Sequence, residues 1–233
     1  MKPHKVTDLK IGIVFLCFLT INNKNFVLIP FISLRLFLLA YILVRKLVFN
    51  VKIVFCGEGG VGKSSILHRF FNNEFIENMS LTRGFGFYHR ILNLDRFVTK
   101  ITYWDLGGQE QFDEMTKNSQ LLNRTLATVF VFDVSRISTI KGIHVWSKII
   151  PLNRAPIKVL VGNKIDLISN ISSTENILKS LAMDLGVQKY FLTSAATGFG
   201  IKALFEYIDE KIVSLIRSIL SVYERKMPSK VIS

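Results

Sequence analysis

Short apolar runs alternate with amphipathic stretches along the chain from Val51 onward. The run VKIVFC at residues 51–56 is rich in β-branched and aromatic side chains, which predicts a buried strand. Gly57 ends this run, and residues 64–73 then carry apolar side chains at helical spacing after two serines suited to a first helical turn. The pattern therefore predicts a strand, a glycine-rich loop and a helix, in that order.

The same alternation continues along the rest of the chain and predicts an α/β fold. Residues 85–94 and 97–105 are two strand-like runs, joined by Asp95 and Arg96 as a hairpin turn. The remaining predicted elements are strands at 127–134, 157–162 and 189–194 and helices near 143–152, 174–185 and 201–218. This order predicts a mostly parallel six-stranded sheet with one antiparallel edge strand and helices on both faces. Ligands of such sheets bind at the carboxyl ends of the strands.

The first part of the chain, residues 1–47, is more apolar than the rest. Residues 26–44 contain a single charge, Arg35, and would span about 28 Å as a helix, close to the thickness of a hydrocarbon core. Arg35 and Pro30 oppose insertion, whereas the many aliphatic and aromatic residues favour it. Three hypotheses stay open: residues 26–44 associate with a membrane, they form a buried or partner-bound helix, or residues 1–47 come from a wrongly extended reading frame.

The net charge indicates which partners to expect, and the cysteine content limits which disulfide or metal sites are possible. The net charge of +13 favours anionic partners such as membrane headgroups or nucleic acid. The sequence has no aromatic RNA-binding signature and no recognition-helix pattern, so we expect no nucleic-acid partner. Its two cysteines, Cys17 and Cys56, form no Cys-x-x-Cys pair, which argues against a disulfide framework and against a thiolate zinc site.

The segment GEGGVGKS, from Gly57 to Ser64, matches the phosphate-loop pattern G-x-x-x-x-G-K-[ST] between a predicted strand and a predicted helix. Its glycines allow backbone N–H groups to point toward bound phosphates. Lys63 supplies a positive charge for the β- and γ-phosphates, and the Ser64 hydroxyl is a ligand for Mg²⁺. The positive end of the following helix adds to the attraction for anions.

Two loops point to guanine as the base. NKID, from Asn163 to Asp166, follows the strand at 157–162. The Asp166 carboxylate can accept hydrogen bonds from the ring N–H and the exocyclic amine of guanine, a pair of donors that adenine lacks. TSAA at residues 193–196 ends the next strand, where the Ala195 N–H is placed to donate to the guanine oxygen.

The segment WDLGGQEQF at residues 104–112 ends the second strand of the hairpin. An acid at this position, Asp105, is suited to hold Mg²⁺ through a water molecule. The backbone N–H of Gly108 is placed to meet a γ-phosphate. Gln109 is then placed to orient an attacking water molecule.

With these motifs in this order, the chain from about residue 48 to residue 217 resembles a Ras-superfamily small GTPase, and most of all its Rab branch. Thr82 follows Ser64 by eighteen residues, which is the family spacing for the switch threonine that completes the Mg²⁺ shell and senses the γ-phosphate. Gly84 and Phe87 fit the Rab-like pattern T-x-G-x-x-F. Phe75 falls where the family places an aromatic ring against the guanine.

The resemblance implies a P-loop NTPase G domain at residues 48–217, followed by a short basic tail at 218–233. It implies GTP or GDP with Mg²⁺ as the bound cofactors, and it assigns catalytic roles to Gln109, Lys63 and Gly59. The implied metal ligands are Ser64, Thr82 and Asp105. The implied nucleotide-binding residues are Gly57, Glu58, Gly59, Gly60, Val61, Gly62, Lys63, Ser64, Ser65, Phe75, Thr82, Gly108, Asn163, Lys164, Asp166, Ser194, Ala195 and Ala196.

The chain departs from the Rab pattern at the second switch and at the tail. Rab proteins usually have E-R-F followed by S-Y-Y-R-G-A, whereas this chain has EQF at residues 110–112 and SQLLNRTL at 119–126. The tail YERKMPSKVIS contains no cysteine for prenylation. We therefore expect a changed partner surface and a different mode of membrane attachment.

The leading hypothesis is a GTP-binding and GTP-hydrolysing molecular switch of vesicle traffic, located in the cytoplasm on the cytosolic face of an internal membrane. No arginine in the motifs can serve as an internal finger, so the resemblance implies an outside GTPase-activating protein, together with a guanine nucleotide exchange factor and effectors. The alternative is a membrane-anchored nucleotide-binding scaffold that does not cycle. A P-loop kinase of small molecules is disfavoured, because NKID and TSAA would have no role in it.

Overall fold

The computed structural model describes residues 46–77, 79–82, 84–107, 122–150 and 155–226, with side chains to residue 222, and the backbone of residues 19–21 and 25–27. The chain divides into two compact units, residues 1–46 with 230–233, and residues 47–229. In the first unit, strand β1 (Leu19–Ile21) pairs antiparallel with strand β2 (Asn25–Val27). The apolar segment 26–44 thus begins in a strand, and its residues from 28 onward lie outside the described part. Within the described residues, no helix is long and apolar enough to cross a membrane.

The second unit is built on a six-stranded sheet. Its strands are β3 (Leu47–Cys56), β4 (Phe85–Asn93), β5 (Phe97–Leu106), β6 (Thr125–Asp133), β7 (Ile157–Asn163) and β8 (Lys189–Leu192). The strands lie in the order β4-β5-β3-β6-β7-β8, and all are parallel except the edge strand β4, which pairs antiparallel with β5. The predicted mostly parallel sheet with one antiparallel edge strand is confirmed.

Helices cover both faces of this sheet, as predicted. They are α1 (Lys63–Asn72), α2 (Ile140–Ile149), α3 (Ile171–Asp184) and α4 (Ile201–Lys226). Side chains alternate between the faces of a strand, so Ile53 and Phe55 pack toward α1 and α4, whereas Val54 and Cys56 pack toward α2 and α3. Because both faces are covered, the middle of β3 reads as a continuous apolar run.

Aromatic packing fixes α1 against α4. The ring of Phe205 stacks on Phe70 with centroids 3.6 Å apart and on Phe55 at 5.9 Å. Phe205 is buried, and burying one phenylalanine side chain contributes about 1.5–3 kcal/mol. This packing fixes the C-terminal half of α1 against α4 and against the end of β3, the strand that the phosphate loop follows.

Helix α2 begins at Ile140, three residues before its predicted start. A short 3₁₀ turn at residues 137–139 precedes it. The Thr139 hydroxyl donates to the carbonyl oxygen of Arg136 at 2.7 Å and accepts from the backbone N–H of Asp133 at 3.1 Å. These side-chain bonds to the backbone start the turn early, and they leave no trace in the apolar periodicity. Residues 151 and 152 of the predicted helix lie outside the described part of the chain.

Other boundaries also differ from the prediction, and two of them affect the site or the domain limits. Strand β8 ends at Leu192 instead of residue 194, because Thr193 turns away and its hydroxyl bonds to Asn163. Helix α4 continues to Lys226, so the predicted domain boundary at residue 217 falls inside a helix, and residues 218–226 of the predicted tail are helical. Ile212 and Ile216 on the buried face of α4 hold its middle against the sheet.

Candidate functional site

The loops that follow β3, β7 and β8 meet at the carboxyl ends of these strands and border a cavity of about 410 Å³. Thirteen of the predicted nucleotide-binding residues line it. They are Gly59, Gly60, Gly62, Lys63, Ser64, Ser65, Phe75, Thr82, Asn163, Lys164, Asp166, Ala195 and Ala196. The loops also include Gly57, Glu58, Val61 and Ser194, whereas Gly108 and the predicted catalytic Gln109 lie outside the described residues.

Lys63 lies near the end of the phosphate loop and is the first residue of α1. Its side chain is buried, and its Nζ donates to the carbonyl oxygens of Glu58 at 2.7 Å and Gly57 at 3.0 Å. Burial lowers the pKa of Lys63, and the charge of the nearby Asp105 carboxylate opposes this shift. The loop therefore encloses a cation whose nearest partners are neutral carbonyl groups, an arrangement that favours an incoming phosphate.

The three predicted metal ligands, far apart in sequence, converge, and two of them, Ser64 and Thr82, line the cavity. The Ser64 Oγ donates to Asp105 Oδ2 at 2.5 Å and lies 2.6 Å from Thr82 Oγ1. Thr82 Oγ1 lies 3.4 Å from the same carboxylate oxygen. Two hydroxyls and one carboxylate are hard oxygen donors, which is the ligand chemistry that Mg²⁺ prefers.

The carboxylate of Asp105 fits a cation for a second reason. Asp105 is 2% exposed, and its Oδ1 is buried without a hydrogen-bond partner among the described residues. Burial raises the pKa of Asp105, while the hydrogen bond from Ser64 and the charge of Lys63 act to lower it. A buried carboxylate oxygen without a donor is costly unless a cation or water satisfies it. The donor set therefore fits Mg²⁺.

Gly62 is a position that only glycine fits. It precedes α1 with φ of 95°, in the left-handed region, and no side-chain oxygen caps the helix there. A Cβ at this position would lie 2.3 Å from the Nδ2 of Asn163. The backbone of the phosphate loop therefore runs against the side chain of the NKID loop, which brings the two loops together.

Gly62→Ala is expected to destabilise the protein by more than the strain of its backbone alone. Gly186 also has positive φ, at 60°, but a Cβ there would meet nothing within 4 Å. Gly186→Ala is therefore the matched control, and its cost should be about 1–2 kcal/mol. Thermal unfolding and GDP titration should show that only Gly62→Ala also weakens nucleotide binding. Equal losses in the two variants would contradict the close approach of Asn163.

Asn163 ties three loops together. Its Nδ2 donates to the carbonyl oxygen of Val61 at 3.0 Å, and its Oδ1 accepts from Thr193 Oγ1 at 3.0 Å and from the Ala195 N–H at 3.3 Å. The Ala195 N–H donates to Asn163 here, and its contact with the guanine oxygen stays a prediction. A buried amide oxygen needs hydrogen-bond donors, and the Ala195 N–H is one of them. This bond holds the NKID loop and the TSAA loop, together called the base loops, in fixed positions relative to each other.

Asp166 and Phe75 both line the cavity. Asp166 is exposed, in a 3₁₀ turn at residues 165–167 whose backbone is anchored by the bond from Ile165 N–H to Thr193 O at 3.2 Å. Lys164 precedes it with φ of 68°, in the left-handed region. The carboxylate is therefore available to a base, and the aromatic ring borders the same space.

Sequence reasoning missed Arg69, which joins α1 to the TSAA loop. Its Nε donates to the carbonyl oxygen of Ala195 at 2.8 Å, and its Nη2 donates to that of Ala196. Its guanidinium also lies 5.9 Å from the centre of the Phe75 ring. An arginine inside an amphipathic helix is normally solvent-exposed, so no local pattern distinguished it.

A second missed residue, Asp133, ends strand β6. Its buried carboxylate pairs with Lys164 Nζ at 2.8 Å and with Arg136 Nε at 3.0 Å, and it accepts two hydrogen bonds from Ser135. Burial acts to raise the pKa of Asp133, but the hydrogen bonds from Lys164, Ser135 and Arg136 outweigh it and hold the pKa below its usual value. A lone acid at the end of an apolar strand was the signal that could have found it.

Trp146 of α2 supports the phosphate loop from behind. Its ring is buried, and its Nε1 donates to the carbonyl oxygen of Gly57 at 3.3 Å, the oxygen that also accepts from Lys63. Close by, a Cβ on Gly142 of α2 would lie 2.4 Å from Glu58 Cγ. Helix α2 therefore packs directly on the start of the loop.

The strand order, the glycine-rich loop between β3 and α1 and the hydroxyl–carboxylate donor set define a P-loop GTPase fold. Comparison with known proteins narrows this class. The profile described as "Ras family" matches residues 52–214. The chain belongs to the Ras family.

Proteins with similar sequences indicate that the chain is Rab-like. The chain is 30% identical over 179 residues to "Ras-related protein Rab-7b" of Bos taurus, an alignment that covers 75% of this chain and 88% of the relative. It is 32% identical over 169 residues to human "Ras-related protein Rab-32", with 70% and 74% covered. It is also 32% identical over 174 residues to "GTP-binding protein YPT53" of Saccharomyces cerevisiae, with 70% and 76% covered. The predicted Rab-like resemblance is confirmed, and with it GTP or GDP and Mg²⁺ as cofactors.

Proposed function

We propose that this chain is a molecular switch that binds and hydrolyses GTP and acts in membrane traffic on the cytosolic face of an internal membrane. The observation that carries the proposal is the convergence of Ser64, Thr82 and Asp105. These side chains come from the phosphate loop, from the segment before β4 and from the end of β5. The names of the relatives, Rab proteins and a GTP-binding protein, support the same class of function.

The proposed mechanism assigns a task to each part of the cavity. When bound, Mg²⁺ would neutralise phosphate charge, held by Ser64, Thr82 and Asp105. Lys63 binds the β- and γ-phosphates, and Asp166 selects guanine. Gln109 orients the attacking water, Gly59 leaves room for it, and the Gly108 N–H meets the γ-phosphate.

The switching step follows from the position of Thr82. Its hydroxyl contacts Ser64 at 2.6 Å, and its segment borders the same cavity as the phosphate loop. A γ-phosphate adds a partner for this segment, and hydrolysis removes it, so the segment has two states that nucleotide controls. A scaffold that binds nucleotide without cycling gains no support from the relatives.

Family membership implies an exchange factor, an activating protein and effectors as general partners. For this chain we propose that those partners differ from typical Rab partners, because EQF at residues 110–112 and SQLLNRTL at 119–126 replace the usual second-switch sequence. On the described surface, the Phe87 ring packs edge-on against the Trp104 ring, with centroids 4.8 Å apart, and remains half exposed. It lies close in sequence to Thr82 and offers an apolar contact for a partner.

Gln109→Leu is expected to slow single-turnover hydrolysis of GTP by about tenfold or more while affinity for GTP stays within about twofold, because leucine cannot orient the attacking water. Release of phosphate from preloaded protein measures the rate, and a fluorescent GTP analogue measures the affinity. The matched control is Gln188→Leu, at an exposed position before β8. An unchanged rate in Gln109→Leu would remove Gln109 from its role, and a wild-type chain without GTP binding would refute the proposed function.

A further inference from the structure

Arg136 lies beside the phosphate loop, in the turn that follows β6. Its Nε donates to Asp133 Oδ2 at 3.0 Å, and its side chain is 52% exposed. No phosphate-loop or base-loop motif contains it. Its placement therefore comes from the fold, and the sequence patterns gave no reason to consider it.

Asp133 holds Arg136 by one end of the guanidinium only. The Oδ1 of Asp133 accepts from the Ser135 N–H and hydroxyl at 3.0 and 2.6 Å, while its Oδ2 accepts from Lys164 Nζ and Arg136 Nε. Each carboxylate oxygen of Asp133 thus has two partners, and the side chain is buried. The carboxylate is therefore an anchor that holds the Nε of Arg136 in place. The Nη2 of Arg136 lies beyond this anchor, toward Gly60.

The extended end of Arg136 reaches the phosphate loop at Gly60. The Nη2 lies 3.5 Å from the point that a Cβ on Gly60 would occupy. Gly60 itself lines the cavity and stands three residues before Lys63. Because Gly60 has no side chain, the guanidinium can approach the loop backbone and the phosphates that the loop would hold.

We propose that Arg136 is an arginine finger supplied by the chain itself, which contacts the β- and γ-phosphate oxygens of GTP. This inference rests on the proposed function and adds a catalytic residue to it. It also revises our expectation that no internal arginine is available, which considered the motifs alone.

The role of Arg136 is electrostatic. A water oxygen bonds to the γ-phosphorus, and the bond from the γ-phosphorus to the β–γ bridging oxygen breaks. The electron pair stays on the bridging oxygen, which becomes a terminal oxygen of GDP, and the protons of the water leave with inorganic phosphate and solvent. Negative charge grows on the transferring group and the leaving oxygen, where the two Nη groups donate hydrogen bonds.

The test compares Arg136→Ala and Arg136→Lys with the wild-type chain in single-turnover hydrolysis at saturating GTP and Mg²⁺, without any activating protein. We expect a rate about tenfold or more lower in Arg136→Ala and a partial loss in Arg136→Lys, because lysine keeps the charge but not the paired donors. Arg217→Ala, at an exposed position of α4, should hydrolyse like the wild type. Affinity for GDP should stay within about twofold in all variants.

A second readout separates catalysis from positioning. GDP with aluminium fluoride mimics the transition state, which an internal arginine should bind without an activating protein. The wild-type chain should retain GDP and aluminium fluoride together, and Arg136→Ala should lose this complex while still binding GDP.

Several outcomes would overturn the proposal. Equal hydrolysis rates in the wild type and Arg136→Ala would do so, and so would a loss of GDP affinity that matches the loss of rate, since Arg136 would then act only through Asp133 and Lys164. A wild-type chain that binds GTP but shows no turnover without an activating protein overturns the internal finger and leaves the switch proposal standing. Failure to bind GTP refutes the proposed function instead.

Discussion

Lys63→Ala is expected to lower the affinity for GTP and GDP by about 10²- to 10⁴-fold. The variant removes a buried ammonium that can give charge-assisted hydrogen bonds to two phosphates, each contributing about 1.5–3 kcal/mol. The loop backbone and the N-terminus of α1 remain, so residual binding is expected. Titration with a fluorescent GDP analogue at fixed Mg²⁺ concentration measures the effect.

The control for this variant is Lys148→Ala, at an exposed position in the last turn of α2. It removes the same charge from the chain without touching the phosphate loop, so its affinity for GDP should match the wild type. Thermal unfolding should verify that Lys63→Ala folds, because its carbonyl partners can turn to water. A Lys63→Ala variant that binds GDP within threefold of the wild type would show that the ammonium does not contact phosphate.

Asp166→Asn is expected to change the preferred base from guanine to xanthine. The carboxylate accepts from both the ring N–H and the exocyclic amine of guanine, whereas an amide offers one acceptor and one donor. Xanthine carries an oxygen in place of that amine, so it matches the amide. We expect the affinity for GTP to fall by about 10²- to 10³-fold and that for xanthosine triphosphate to rise above it, as a site built for one hydrogen-bonding pattern rejects its mismatch strongly.

Competition of unlabelled GTP, xanthosine triphosphate and ATP against a bound fluorescent nucleotide tests this exchange of specificity. Asp184→Asn, at the exposed end of α3, makes the same chemical change away from the cavity and should keep the preference for GTP. If Asp166→Asn weakens all three nucleotides equally, the residue holds the loop in place and does not read the base.

Local sequence patterns predicted the sheet and most of the cavity because both depend on short-range chemistry. The phosphate loop needs glycines, a lysine and a hydroxyl within eight positions, and it lies where its strand and helix meet. Strand β3 was predicted from its apolar middle, but it begins four residues earlier, at Leu47, because its ladder with β5 extends to Phe97. The apolar pattern of a single segment does not show which other strand it pairs with or how far that pairing extends.

Several contacts between residues far apart in sequence were not predicted. Arg69 bonds to a carbonyl 126 positions away, and Trp146 bonds to one 89 positions away. Each would be an unremarkable residue of an amphipathic helix if only its own neighbours were known. The bond from the Ala195 N–H to the Asn163 side chain, 32 positions away, was not predicted either.

Asn163 couples the phosphate loop to the TSAA loop through hydrogen bonds from one side chain. One amide group restrains Val61 of the phosphate loop and Ala195 of the base loop, so fixing either loop reduces the freedom left to the other. The free energy of nucleotide binding therefore does not divide into a share for the base and a share for the phosphates. A partner protein that displaced only one of these loops would therefore weaken the binding of both the base and the phosphates.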